Sequence, residues 1–121
     1  MSMTREQVWE RYVAAWKAGS ADEKRALLRG SVADGCVYTD PVVRVEGHDA
    51  LVDYMMGFLS QVPGGHFVTD RFFAHAAGSA ARWTMRSGDG APLGEGISVG
   101  AYDDRGHLVA MTGFFDVPSA G

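Results

Sequence analysis

Apolar and polar positions follow two regimes along this chain, helical spacing in the first half and alternation in the second. Val8, Trp9, Tyr12, Val13 and Trp16 recur on one helical stripe that follows a Thr4/Gln7 capping-box pair and stops before Gly19. Ser20 and Glu23 repeat the box and open a shorter helix, with Leu27 and Leu28 facing inward and Gly30 at its end. The segment GCVYTDP (35–41) predicts a short edge strand, because Pro41 cannot donate to a ladder and restricts Asp40 before it. After Gly47, Leu51, Tyr54, Met55, Phe58 and Leu59 stand at helical spacing until Pro63-Gly64-Gly65 ends a third helix. Strands follow at roughly 66–76, 79–87, 93–103 and 107–117, with turns at Gly78, Asp89-Gly90 and Asp104-Arg105-Gly106. Helices first and strands afterwards predict an α+β arrangement: a cone-shaped, curved antiparallel sheet wrapped around three N-terminal helices.

One strand has an unusual face. Gly94, Gly96, Ser98 and Gly100 alternate with Glu95, Ile97, Val99 and Ala101, leaving one side nearly bare. Glycine weakens a strand by roughly 0.5–1 kcal/mol relative to alanine, so the pattern predicts strong curvature or a close approach by a helix or a ligand.

A chain of 121 residues suits one core, and the expectation is a single domain over 1–121 with one pocket. Net charge is −4 and the eleven Lys and Arg are scattered, so no basic stripe offers a nucleic-acid footprint. Cys36 is the only cysteine, which fits a reducing compartment, and the expected location is cytoplasmic. The charged residues Arg5, Glu6, Glu10 and Arg11 interrupt the N-terminal apolar positions, so neither a signal segment nor a membrane span is expected. His48, His66, His75 and His107 lack metal-ligand spacing, and the glycine-rich run GAPLGEGISVG lies among strands, so no metal and no nucleotide cofactor are expected.

Four segments in order, RYVAAWKAG (11–19), YTDP (38–41), GHDALVDY (47–54) and YDDRGHLVAMTGFF (102–115), resemble the nuclear transport factor 2-like superfamily over essentially the whole chain. That superfamily includes SnoaL-like polyketide cyclases, ketosteroid isomerases and limonene epoxide hydrolases, and the resemblance implies a domain of SnoaL-like type. The fold hosts enzymes and binding modules alike. Ketosteroid isomerases pair an aspartate base with an oxyanion hole of one tyrosine and one protonated aspartate. The likeness to them implies Asp40 as proton-shuttling base and Tyr12 as oxyanion donor, and the position of the second donor falls here at Ser98. The paired acids of limonene epoxide hydrolases would fall at Thr84 and Gly113, and the cyclase base at Phe115 with Asp116 one position along.

Each residue also has a plainer reading. Asp40 can serve as a base in an apolar surround with Tyr38, Phe58 and Phe115 as walls, or simply cap the loop backbone before Pro41. Tyr12 can donate to a ligand or pack as core beside Trp16. Met55, Met56, Phe58 and Met111 can line an adaptable pocket or fill the core. His75 and Arg82 face a pocket, where Arg82 would select an anionic or carbonyl-bearing ligand, or they face solvent. The candidate set is therefore Asp40, Tyr12 and Ser98 for chemistry, and Trp16, Tyr38, Met55, Phe58, His75, Arg82, Met111, Gly113 and Phe115 for the pocket wall. Two functions follow: cofactor-free proton transfer on a small apolar carbonyl compound, as an isomerase or cyclase performs, or ligand binding without catalysis. The resemblance also implies a homodimer formed through the sheet.

Overall fold

In the computed structural model, which describes residues 3–117, the helices are α1 (Arg5–Lys17), α2 (Ala21–Arg29) and α3 (Gly47–Gln61). The strands are β1 (Val32–Thr39), β2 (Arg44–Glu46), β3 (His66–Ala74), β4 (Gly78–Arg86), β5 (Pro92–Tyr102) and β6 (Leu108–Phe114). They form one sheet in the order β2-β1-β6-β5-β4-β3.

The capping residues act as their types dictate. The Thr4 backbone N–H donates to Gln7 Oε1 at 2.8 Å and Thr4 Oγ1 accepts from the Gln7 N–H at 3.1 Å, closing both halves of the box. Ser20 Oγ accepts from the Glu23 N–H at 3.1 Å. The C-terminal end of α1 is satisfied from the next helix: Lys24, fully buried, donates from Nζ to the carbonyls of Ala15 at 2.8 Å and Trp16 at 3.1 Å. A buried ammonium must find such partners, and these two favour it further because they lie at the negative end of a helix. Burial holds its pKa down at about 8, against a smaller opposing pull from Glu23.

The β1 segment is not an edge and the sheet is not wholly antiparallel. Asp40 Oδ1 accepts from the N–H groups of Val42 and Val43, turning the chain back so that β2 covers the free side of β1. On its other side β1 runs parallel to β6, with Tyr38 opposite Met111. Parallel pairing needs a long crossover, and everything from α3 to β5 supplies it. The sheet is therefore mixed. The remaining pairs, β3 to β6, are the expected meander.

Val8, Trp9 and Ala15 of α1, Leu51, Val52 and Met55 of α3, and Leu108 and Met111 of β6 are buried together between helices and sheet. The glycine-rich face of β5 belongs here: a Cβ at Gly100 would stand 2.7 Å from Leu108 Cδ2 and 3.3 Å from the Trp9 ring. Close packing of Leu108 from β6 and Ser79 from β4, with Trp9 of α1 behind them, is thus the reason for that glycine. No helix among the described residues is long and apolar enough to cross a membrane.

Candidate functional site

Between the helices and the inner face of the sheet lies a cavity of about 510 Å³ with mainly aromatic walls, among them Trp16, Tyr38, Tyr54, Phe58, Phe67 and Trp83. Its helical wall comes from Tyr12 and Trp16 of α1 and Tyr54 and Phe58 of α3. Trp16 is the hub, its ring centroid 5.4–5.9 Å from those of Tyr38, Tyr54, Phe58 and Phe67. Edge-to-face contacts such as Trp16 with Phe67 at 75° and Phe67 with Trp83 at 87° suit the ring quadrupoles and fix the walls.

Asp40 lies in this wall, only 8% exposed. Its two oxygens do different work. Oδ1 accepts the Val42 N–H at 2.8 Å and the Val43 N–H at 3.1 Å, which holds the loop after β1. Oδ2 accepts the hydroxyls of Tyr38 and Tyr54, each at 2.7 Å. Loop cap and cavity carboxylate are therefore one residue. Both phenols are held well above the usual tyrosine range, first by burial; the bond to Asp40 adds to the effect, as does the neighbouring Tyr12 in the case of Tyr38.

Ser98 meets Asp40 across one intervening strand. Ser98 of β5 pairs with Gly113 of β6, and Asp40 lies one position beyond the pair of Thr39 with Thr112. A Cβ at Gly113 would sit 3.6 Å from Ser98 Oγ, 3.7 Å from Asp40 Cβ and 3.7 Å from the Tyr38 hydroxyl. Gly113 thus leaves open the space into which these three groups converge. The Trp83 indole N–H donates to Ser98 Oγ at 2.9 Å. A serine oxygen that accepts this bond keeps its own proton to donate elsewhere. Trp83 can lie down on β5 because its partner is Gly96.

Tyr12, 4% exposed on α1, also lines the cavity. Its phenol is pushed up chiefly by burial, against a pull from the Trp16 indole and with smaller contributions from Cys36 and Asp40. Thr69 of β3 completes the polar set: its Oγ1 is buried in the cavity wall and has no hydrogen-bond partner among the described residues. The chemistry available is thus a carboxylate, hydroxyl protons on Tyr12 and Ser98, and an unengaged threonine hydroxyl, all in an apolar enclosure.

Of the candidates named from sequence, Asp40, Tyr12, Ser98, Trp16, Tyr38, Phe58, Gly113 and Phe115 line this cavity. Met55 and Met111 do not: they are 0% and 1% exposed in the helix–sheet core, where helical spacing and strand register put them below the cavity floor. His75 does not either. It lies past the end of β3 in an exposed turn, its Nδ1 accepting the Ala77 N–H at 3.2 Å. Arg82 points the other way, since β4 turns Ala81 and Trp83 inward and Arg82 to the outer face, beside Asp70 and Glu95. Asp116 follows the end of β6 at the cavity rim and is exposed. Tyr54, Trp83 and Thr69 were not singled out by sequence. The signals were present but mute: Tyr54 stands one helical turn before Phe58, and Trp83 alternates with Ala81 and Met85 on one strand face. Among the described residues no group of His, Cys, Asp and Glu is placed to hold a metal ion.

The SnoaL-like domain profile matches residues 9–117. The chain belongs to the SnoaL-like family. Among solved structures, a candidate isomerase of the SnoaL-like family from Agrobacterium tumefaciens superposes with a TM-score of 0.85 at 25% identity, over 95% of this chain and 100% of that one. A candidate SnoaL-like polyketide cyclase from Jannaschia gives 0.75 at 15% identity, over 93% and 85% of the two chains. A ketosteroid isomerase-like fold from Catenulispora acidiphila, in complex with trimethylamine, gives 0.76 at 9% identity, over 94% and 88%. No curated protein matches the chain. The relatives of this SnoaL-like domain thus include candidate isomerases and cyclases and others of unknown function.

Proposed function

We propose that this SnoaL-like protein catalyses cofactor-free proton transfer next to a carbonyl of a small, largely apolar molecule, with Asp40 as base and Tyr12 and Ser98 as donors to the carbonyl oxygen. The observation that carries the reading is the convergence of Asp40 and Ser98 on the space above Gly113, in the cavity that Tyr12 also lines. Removing a proton beside a carbonyl leaves negative charge on its oxygen, and hydroxyl donors fixed in an apolar enclosure stabilise that charge far better than water does. Ser98 is fixed by Trp83 and keeps its proton for this purpose. Asp40 is engaged by four donors, so its Oδ2 takes a substrate proton by releasing one of the two phenols. That exchange is local, because Oδ1 keeps the loop in place.

The same four bonds support the alternative, ligand binding without catalysis, since a fully engaged carboxylate has to give one up before it can act. Exchange kinetics separate the two. With a small enolisable ketone in D₂O, the wild type speeds deuterium incorporation next to the carbonyl and Asp40→Asn returns it to the buffer rate while still binding the ketone. Equal exchange by both proteins would remove Asp40 from the base role, and wild-type binding with no exchange would favour the binding module. The outer sheet face, with Ile97, Val99 and Phe114 each more than 40% exposed and Arg82 beside Glu95, supports pairing of two copies through the sheet.

A further inference from the structure

We infer that the ligand of this cavity carries a positively charged nitrogen, an amine or quaternary ammonium attached to the apolar carbonyl compound. The inference deepens the proton-transfer reading by naming the substrate class, and it rests on the same cavity being the ligand site. Three features lead to it. Among the described lining residues the charged side chains on the cavity side are Asp40 within and Asp116 at the rim, both carboxylates, with no lysine, arginine or histidine; Glu95 borders the opening from the outer sheet face. Arg82, a cation of β4, stands on the opposite face of the sheet. An anionic ligand would therefore meet like charge both at the rim and inside.

Secondly, Asp40 is nine-tenths buried and no ion pair among the described residues includes it. Its partners are two phenols and two backbone N–H groups, all neutral. Buried carboxylates are ordinarily matched by a cation as well as by hydrogen bonds. Here the protein supplies the bonds and leaves the counter-charge to whatever enters.

Thirdly, the walls around that carboxylate are ring systems. Trp16, Tyr38, Tyr54, Phe58, Phe67 and Trp83 form one continuous set in which neighbouring centroids lie 5.1–5.9 Å apart. Ring faces carry the negative part of the quadrupole, so an alkylated ammonium gains attraction there while keeping its methyl groups against apolar surface. A neutral apolar ligand would gain the second benefit and not the first. The charge and the walls favour the same chemistry independently.

The test uses two ligands of one shape: phenacyltrimethylammonium and its uncharged carbon isostere, neopentyl phenyl ketone. Both have exchangeable protons beside a carbonyl, and binding to the whole protein is read by titration calorimetry or ligand NMR. The expected result is at least about tenfold tighter binding of the cation, the scale of a desolvated cation–ring contact, with the anionic benzoylpropionate weakest. In Asp40→Asn the ratio of cation to isostere affinity falls, and a ratio that stays at its wild-type value overturns the carboxylate's part in the preference. Equal or tighter binding of the neutral ketone overturns the inference, as does binding of neither. Deuterium exchange measured on the same samples keeps the two ideas apart. A neutral ketone that binds as well as the cation and exchanges leaves proton transfer standing and removes the charge requirement. Preferential cation binding without catalysed exchange of either ligand does the reverse.

Discussion

Gly96→Ala tests how the sheet makes room for Trp83. A Cβ at Gly96 would lie 2.6 Å from Trp83 Cη2 and 2.5 Å from the Phe114 carbonyl oxygen. The indole could turn away, but the carbonyl is part of β6 and cannot, so one of the two strands must move. Overpacking of this kind costs about 1–3 kcal/mol, and a backbone obstacle puts the expectation in the upper half of that range. For a domain of this size each kcal/mol lowers the melting temperature by roughly 4 °C, so a fall of about 8–12 °C is expected in a thermal scan. Gly94, two residues earlier on the same strand face, is the control, because its Cβ would meet only Met85 Cε, at 3.9 Å. There alanine removes unfolded-state freedom without a clash and stabilises by up to about 1 kcal/mol. Opposite signs at two neighbouring positions of one glycine pattern are the signature. Gly96→Ala as stable as the wild type would refute the close-packed placement of Trp83 and, with it, the Trp83–Ser98 hydrogen bond.

Further expectations follow from individual side chains. Ser98→Ala and Tyr12→Phe each lower kcat by about 100-fold or more in the exchange assay if they donate to the oxyanion, with little change in KM; an equal rise in KM at constant kcat would assign them to binding alone. The Lys24 pKa of about 8 lies below its ordinary 10.5, so between those values the unfolded chain holds the proton that the folded chain has lost, and Lys24 makes stability rise with pH across that window. Denaturant midpoints measured against Lys24→Met should show that rise in the wild type relative to the variant, and parallel curves would contradict it. Tyr12, Tyr38, Tyr54 and Tyr102 are all raised, chiefly by burial, so their contribution is present below about pH 10 and lost above it. Absorbance of tyrosinate should then appear only together with unfolding; ionisation of a folded chain near pH 10 would show the phenols to be open to water. Phe114→Glu on the outer sheet face is expected to leave the fold intact and to convert a dimer, measured by light scattering, into a monomer.

Local rules carried the helices and the meander into view because each depended on near neighbours. Thr4 with Gln7, Ser20 with Glu23 and the turn glycines are complete signals within four residues. The β1 strand was harder, since its parallel pairing with β6 joins Tyr38 to Met111 across most of the chain and leaves no trace in local periodicity. The site divides along the same line. Asp40, Tyr12 and Ser98 stand out through family resemblance, whereas the hydroxyl of Tyr54 on Asp40 and the indole of Trp83 on Ser98 depend on how α3 and β4 are set against β1 and β5. Arg82 and Met111 went astray for a related reason. Alternation states that neighbours face opposite ways but not which face is inner, as at Arg82, and an inward position, such as that of Met111 on β6, does not by itself divide core from cavity wall.

The most direct test of proton transfer by Asp40, Tyr12 and Ser98 is a crystal structure of the protein with a slowly reacting enolisable ketone bound. The ketone oxygen is expected within hydrogen-bond reach, about 2.6–3.2 Å, of the Tyr12 or Ser98 hydroxyl, with the adjacent carbon facing Asp40 Oδ2 in place of one phenol. A ketone seated with its oxygen toward the rim and its reacting carbon away from Asp40 would contradict the account.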